Sequence, residues 1–312
     1  LAELILHHYP TSPYSEKIRL MLGAKRIPWR SVIIPTIMPK PDVVALTGGY
    51  RKTPIAQLGA DIYCDTARIA DLLETLAPEP PLYPREHAAA SRAAARWSDA
   101  VVFQAAVALM FQPSVMQQNF GDRGAGGPDL RAFIEDRMAM VRSATVRRPS
   151  VPEARALVSG LLRDIDVQVG DGRPFLHGAA PAIADYAFYH SLWFLERSPQ
   201  VNSILSGHKH FERWMGHMRA LGHGSSSEIA SGEAVEIARS STPAPLAATS
   251  DAEGFAPGDR VEVLPTDYGL DPSAGELVAC TPDEIAVRRV DPRAGELIVH
   301  FPRASYDLRK PA

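Results

Sequence analysis

The apolar residues of this chain change their spacing twice, and each change limits what the segment can become. Up to residue 78, short β-rich runs alternate with helical patterns. Leu4-Ile5-Leu6 and Val32-Ile33-Ile34 read as strands, and Pro54–Leu58 and Ile62–Cys64 flank the turn Gly59-Ala60-Asp61 as a hairpin. Ile18, Leu20, Met21 and Leu22 form the apolar face of one helix, and Ile69, Leu72, Leu73 and Leu76 recur at helical spacing after Thr66. This β-α-β, then β-β-α order predicts a small α/β unit over 1–78, and Pro78, Pro80, Pro81 and Pro84 predict a stiff connector after it. From 85 to 240 the strand signal is almost absent. Ala-rich residues 86–112 and the stretches 129–142, 152–169, 182–196, 211–221 and 233–238 predict an all-α unit.

Residues 240–258 have the Ser, Thr, Pro, Ala and Gly content of a linker, and beyond them the period becomes two. Four short strands begin at Arg260, Glu276, Glu284 and Glu296. Asp271-Pro272-Ser273-Ala274-Gly275-Glu276-Leu277-Val278 recurs as Asp291-Pro292-Arg293-Ala294-Gly295-Glu296-Leu297-Ile298. In each copy Asp-Pro is expected to open a turn and Gly to close it before a strand. A repeated strand–turn–strand unit predicts a small antiparallel barrel of SH3-like type over 254–312. The chain is thus read as multidomain: α/β, all-α, then a β-barrel.

Charge narrows the function classes. With 33 Lys and Arg against 36 Asp and Glu, the chain has no broad basic surface for nucleic acid or anionic lipid. The C-terminal segment from 251 carries seven basic against twelve acidic residues, which argues against an RNA-binding barrel and for packing or partner binding. The longest apolar run, Ala105–Phe111, is far short of a membrane span, and Leu1–His8 lacks the features of a secretory signal. A cytoplasmic protein acting away from membranes is expected. Cys64 and Cys280 allow one disulfide at most and no Cys-rich metal site, and Cys64 reads as a packing residue. His208, His210, His217 and His223 lack a completing acid at metal-binding spacing, so no metal is expected. Gly121–Gly127 follows no strand and lacks a Lys-Ser/Thr ending, so it reads as a loop and not as a phosphate cradle.

The densest chemistry lies between the first strand and first helix, in His7-His8-Tyr9-Pro10-Thr11-Ser12-Pro13-Tyr14-Ser15-Glu16-Lys17. Ser12 suits the N-cap and Pro13 the first helical position. Free N–H groups and the positive dipole end at a helix start stabilise an anion such as a thiolate. Ser12 would add a donor, and a hydroxyl cannot form a disulfide, so such a site would activate a bound thiol instead of exchanging with it.

Ser12-Pro13-Tyr14-Ser15 after an apolar strand resembles the active-site entry of the thioredoxin-fold cytosolic glutathione transferases. Lys52-Thr53-Pro54-Ile55-Ala56-Gln57-Leu58 is similar to that family's cis-proline segment, and Asp65-Thr66-Ala67-Arg68-Ile69 to the acidic-Ser/Thr-x-x-Ile signature of its third helix. The resemblance spans roughly residues 3 to 240. It implies a thioredoxin-like domain over 1–78, an all-α domain over 85–240, glutathione as co-substrate, a small hydrophobic electrophile, and a homodimer. Ser12 would lower the thiol pKa of glutathione, with Ser15 as the alternative hydroxyl, Tyr9 a more distant one, and Tyr14 beside them. Thr53, held by Pro54, would pair with the cysteinyl backbone. Asp65 and Thr66 would take the γ-glutamyl end, and Arg51 or Lys52 the glycine carboxylate. Trp97 and Phe103 would line the electrophile pocket. Two features depart from the family. Ala182 stands where its capping box has Ser or Thr, leaving Asp185 to serve the helix start, and the β-rich tail has no counterpart. The alternative is a glutathione-binding or scaffold protein whose tail recruits a partner.

Overall fold

The computed structural model describes residues 3–121 and 130–311. Strand β1 (Leu4–His8) is buried along its whole length because both faces of its sheet are covered. Leu4 and Leu6 pack with helix α1 (Pro13–Ala24), whereas Ile5 points to the opposite core. Strand β2 (Trp29–Ile33) lies parallel to β1. A short helix α2 (Pro41–Thr47), absent from the sequence expectations, backs the Ile5 face. Strands β3 (Ile55–Leu58) and β4 (Asp61–Cys64) form the expected hairpin, with β3 antiparallel to β1. Helix α3 (Thr66–Leu76) covers the same face as α1.

The all-α segment begins with α4 (Ala88–Trp97), a π-helical turn over Ser98–Val102, and α5 (Phe103–Met110). It continues through α6 (Pro113–Gly121), α7 (Leu130–Val141), α8 (Val151–Gln168), α9 (Ile183–Glu196) and α10 (Lys209–Ala220). After its first residue, the Gly121–Gly127 stretch lies outside the described residues. Asp185 compensates for Ala182 at the start of α9. Its Oδ2 accepts the Ala182 N–H at 2.9 Å, and its Oδ1 accepts the Leu176 N–H and the Trp214 Nε1–H, each at 2.8 Å. The chain then returns to the first sheet. β5 (Ser226–Glu228) pairs with β2, and α11 (Ser231–Ser240) buries Ala234, Val235 and Ala238 in the Ile5 core, so 226–240 packs with the α/β unit.

The SH3-like barrel expected over 254–312 is not closed. After the two-residue strand β6 (Thr249–Ser250) come β7 (Arg260–Pro265), β8 (Ser273–Cys280), β9 (Glu284–Asp291), β10 (Gly295–Pro302) and β11 (Tyr306–Arg309). They lie in the order β11-β7-β8-β9-β10, and β10 pairs in parallel with β4 through Ile298↔Asp61, Val299↔Ile62 and His300↔Tyr63. One open sheet therefore runs from the tail into the first unit. The cause is legible in burial: β10 is covered on both faces from Leu297 to Pro302, as a strand inside a sheet is and a barrel strand with one wet face is not. Leu297, Val299, Phe301 and Tyr306 share one apolar core with Ile5, Tyr50, Ile62 and Cys64. Both cysteines are buried and free.

The sequence echo also divides. Asp291 Oδ1 accepts the Arg293 and Ala294 N–H groups, and Gly295 with φ +79° closes the hairpin. In the earlier copy the strand has already begun at Ser273. Gly275 is needed there for close approach, since a Cβ on it would stand 2.6 Å from the Arg288 carbonyl oxygen.

At the β4–β10 seam His300 lies 3.2 Å from Asp61 and 3.5 Å from Glu284, stacked at 4.5 Å on Tyr63. Burial opposes its protonation, but its hydrogen bonds and ion pairs with the two carboxylates outweigh that cost and raise its pKa. Arg68 pairs with Glu284 from α3.

Candidate functional site

Ser12 caps α1 as expected. Its Oγ accepts the Ser15 N–H at 3.2 Å, its own N–H donates to the Tyr9 carbonyl, and Pro13 takes the first helical position. Beneath it, burial depresses His7 to about 4 and His8 to about 3, so both are neutral packing groups near neutrality. Ser12 borders a cavity of about 1230 Å³ that is also lined by Tyr9, Tyr14, Arg51, Lys52, Thr53, Pro54, Asp65, Thr66 and Phe103. Ser15 is fully buried and does not line it. Trp97 does not line it either: the residue is 43% exposed and its ring lies edge-on to Phe188. The pocket placement of Trp97 is therefore corrected.

Arg51 to Pro54 form one wall, with the Thr53–Pro54 peptide cis. Both basic candidates there are already paired, Arg51 with Asp136 and Lys52 with Asp267, each at 2.5 Å. A residue missed in the sequence, Lys40, donates to Thr53 Oγ1 at 3.1 Å and to the Arg51 carbonyl at 3.4 Å. Burial, then the charges of Arg137 and Arg51, pulls Lys40 down to about 8. Arg137 also pairs with Asp136, so Arg51 and Arg137 share one carboxylate, while Lys40 has no ion pair among the described residues. This corner holds surplus positive charge.

Asp65 caps α3 from a left-handed conformation, φ +76°, which is costly for a non-glycine residue and persists where its surroundings fix it. Its Oδ1 accepts the Ala67 N–H at 2.9 Å, and its Oδ2 accepts the hydroxyl of Tyr306, from β11, at 3.0 Å. Thr66 Oγ1 accepts from Lys17 Nζ at 3.4 Å.

The floor joins groups no motif announced. Lys17 Nζ lies 2.7 Å from Asp99 Oδ2, and His190 Nε2 lies 3.0 Å from Asp99 Oδ1. The Tyr14 hydroxyl donates to the Asp99 carbonyl at 3.3 Å. Burial opposes ionisation of Asp99, but Lys17 and His190 prevail and lower its pKa. Asp99 sits on the π-helical turn, a feature frequent at functional sites. Phe103, Val107, Met110, Ile134 and Met138 add apolar surface to the lining.

Residues 6–81 match the family model described as the glutathione S-transferase N-terminal domain. A GST-like protein from Pseudomonas syringae, known from its crystal structure, is 40% identical, with 100% of both chains covered and a TM-score of 0.82. The chain belongs to the glutathione S-transferase superfamily. A glutathione S-transferase from Rhodospirillum rubrum F11 is 22% identical over 70% of this chain and 91% of its own, with a TM-score of 0.50, which shows the shared fold. FtsZ-localized protein A of Caulobacter vibrioides (strain NA1000 / CB15N) is 29% identical over 143 residues, 44% of this chain and 61% of that protein. The match thus spans about three fifths of that curated relative's length.

The transferase-superfamily framework accounts for the grouping of Ser12, Thr53, Pro54, Asp65 and Thr66 on one cavity. It does not account for Asp267, Tyr268 and Tyr306, which come from the tail. The four histidines from 208 to 223 disperse: His217 packs on Phe175 and His223 on Glu16. Among the described residues no group of three or more His, Cys, Asp or Glu side chains could hold a metal ion, and no single helix is long and apolar enough to cross a membrane.

Proposed function

We propose that this chain binds glutathione in the cavity at the N-terminus of α1 and that Ser12 stabilises its sulfur as thiolate for attack on a small hydrophobic electrophile. The observation that carries this reading is the Ser12 hydroxyl. Its oxygen is occupied as a helix cap by the Ser15 N–H, which leaves its proton to donate into the cavity. A thiolate there gains that bond and the helix dipole, and its proton leaves to solvent. Thr53 offers backbone groups to the cysteinyl unit, Asp65 faces the γ-glutamyl ammonium, and Thr66 the γ-glutamyl carboxylate. The glycine carboxylate goes to Lys40, where positive charge is in surplus, and not to Lys52, which Asp267 already neutralises. The apolar wall around Phe103 and Met110 receives the electrophile. As in the family, a homodimer in the cytoplasm is the expected working form, checked by light scattering and fractionation.

The test is ultraviolet difference absorption at about 240 nm during glutathione titration at several pH values. A saturable thiolate band with an apparent pKa near neutrality supports the transferase reading. Absence of any binding refutes it.

A second reading is a glutathione-binding scaffold with little turnover. Two observations favour it: the pre-formed Lys52–Asp267 and Asp65–Tyr306 contacts close part of the site from within the chain, and the relative FtsZ-localized protein A carries a localisation name. Saturable binding without the thiolate band would favour it.

A further inference from the structure

The C-terminal sheet reaches the cavity through the loop between β7 and β8, which bridges two other parts of the molecule. Thr145, just beyond α7, donates its N–H to the Asp267 carbonyl at 2.8 Å and its hydroxyl to the Thr266 carbonyl at 2.6 Å. The Gly269 N–H donates to the Met140 carbonyl at 2.8 Å. Gly269 has φ +60°, and a Cβ there would stand 3.3 Å from Met140 Cε, so the loop is fitted closely against α7. On its other side Lys52 Nζ lies 2.5 Å from Asp267 Oδ1 and 4.2 Å from the centre of the Tyr268 ring. Asp267 Oδ1 also accepts the Tyr268 N–H at 2.7 Å. One carboxylate therefore fixes both the cation beneath the ring and the backbone that carries it.

Tyr268 is half-buried and lines the cavity, and its hydroxyl has no hydrogen-bond partner among the described residues. A phenol held by its ring and its backbone on the lining of a ligand-sized cavity, with no partner for its hydroxyl among the described residues, is equipped to meet a ligand. We propose that Tyr268 is a ligand-contacting residue of the glutathione cavity, donating to an oxygen of the γ-glutamyl half, and that Asp267 is the positioning residue that holds it there. This rests on the glutathione reading above and adds a wall that the two-domain plan lacks. Burial, with Asp267, Asp65 and Asp99 nearby, pushes the phenol well above its usual range, so it remains a donor through neutral and mildly alkaline pH.

The test uses the full chain and glutathione itself. Calorimetry gives the affinity, and the ring resonances of isotope-labelled tyrosine report ligand contact. Glutathione should shift one tyrosine ring resonance that is missing from the Tyr268→Phe spectrum, and Tyr268→Phe should weaken binding about tenfold without lowering the melting temperature. Asp267→Asn should weaken binding and abolish the shift by releasing Tyr268, and Asp267→Glu should restore both. Wild-type affinity in Tyr268→Phe, with no ring shift in the wild type, would overturn the inference while leaving the glutathione reading intact. A retained shift in Asp267→Asn would overturn the positioning role. A wild-type protein that binds no glutathione overturns the reading and this inference together.

Discussion

Replacing Ser12 by alanine separates thiol activation from folding, because the hydroxyl has two jobs of different size. As a cap, its oxygen makes one long bond, 3.2 Å, to the Ser15 N–H, and its loss should cost about 1 kcal/mol of stability. As a donor to thiolate it makes a charge-assisted bond worth roughly 1.5–3 kcal/mol, which corresponds to about 1–2 pKa units on the bound thiol. A free thiol near pKa 8.5 is only a few per cent ionised at pH 7, so a bound pKa of about 6.5 makes thiolate the major form. Returning that pKa to about 8 should lower kcat/KM with a soft electrophile about tenfold near neutrality, the loss shrinking as pH rises through the new pKa. Thiolate absorption and a pH profile of kcat/KM read the same shift independently. Ser15→Ala is the control: its buried hydroxyl has no partner among the described residues, so its removal should leave both activity and stability nearly unchanged. A Ser12→Ala protein with an unmoved thiolate pKa, or a uniform loss at every pH, would refute thiol activation by Ser12.

Three further outcomes follow from groups whose partners are defined. Asp185→Ala leaves three buried donors without an acceptor and should destabilise the chain by about 3–5 kcal/mol in urea denaturation; a cost under 1 kcal/mol would refute the count. The His300 pKa is raised in the folded state, so its interaction with Asp61 and Glu284 is fully present below its unfolded value of 6.5 and is lost as pH rises through the folded pKa. The stability difference between wild type and His300→Gln should therefore be larger near pH 5.5 than near pH 8.5, and a difference flat with pH would refute the raised pKa. Lys40 titrates at about 8, so affinity for S-methylglutathione, which has no thiol to ionise, should fall as pH rises past that value, and Lys40→Arg should remove the fall. Equal affinities for glutathione and its glycine amide would count against Lys40 as the carboxylate anchor.

The parts of the site legible in the sequence are those made by local backbone devices. Ser12-Pro13 and Asp65-Thr66 are helix starts, and Thr53-Pro54 is a constrained peptide, so each has a signature a few residues long. The pocket placement expected of Trp97 comes from resemblance to the family and not from any local signal of its own. Two residues six apart on a helix point about 120° apart around its axis, and the π-helical turn adds a further offset, so Trp97 and Phe103 had little prospect of facing one pocket. The remaining contacts act across the chain: Asp99 meets Lys17 over 82 residues, Asp267 meets Lys52 over 215, and Tyr306 meets Asp65 over 241. No local pattern encodes a partner at that distance. Lys40 is nearer, 13 residues from Thr53, but an isolated lysine before a proline carries no signature.

One signal for the tail was present and pointed away from a barrel. Leu297-Ile298-Val299 followed by His300-Phe301 is a continuous buried run, not the alternation of a strand with one wet face. Such a strand needs a neighbour on both sides, and β4 presents an edge that needs covering. Joining the two edges buries Val299 and Phe301 with Ile62 in one core and brings Tyr306 of β11 to Asp65 at the start of α3. The pairing that removes an exposed edge is therefore also what delivers the tail to the cavity. A substitution in the seam that leaves Ser12 untouched, such as Val299→Asp, should weaken ligand binding together with stability, whereas a tail docked independently of the site would lose stability alone.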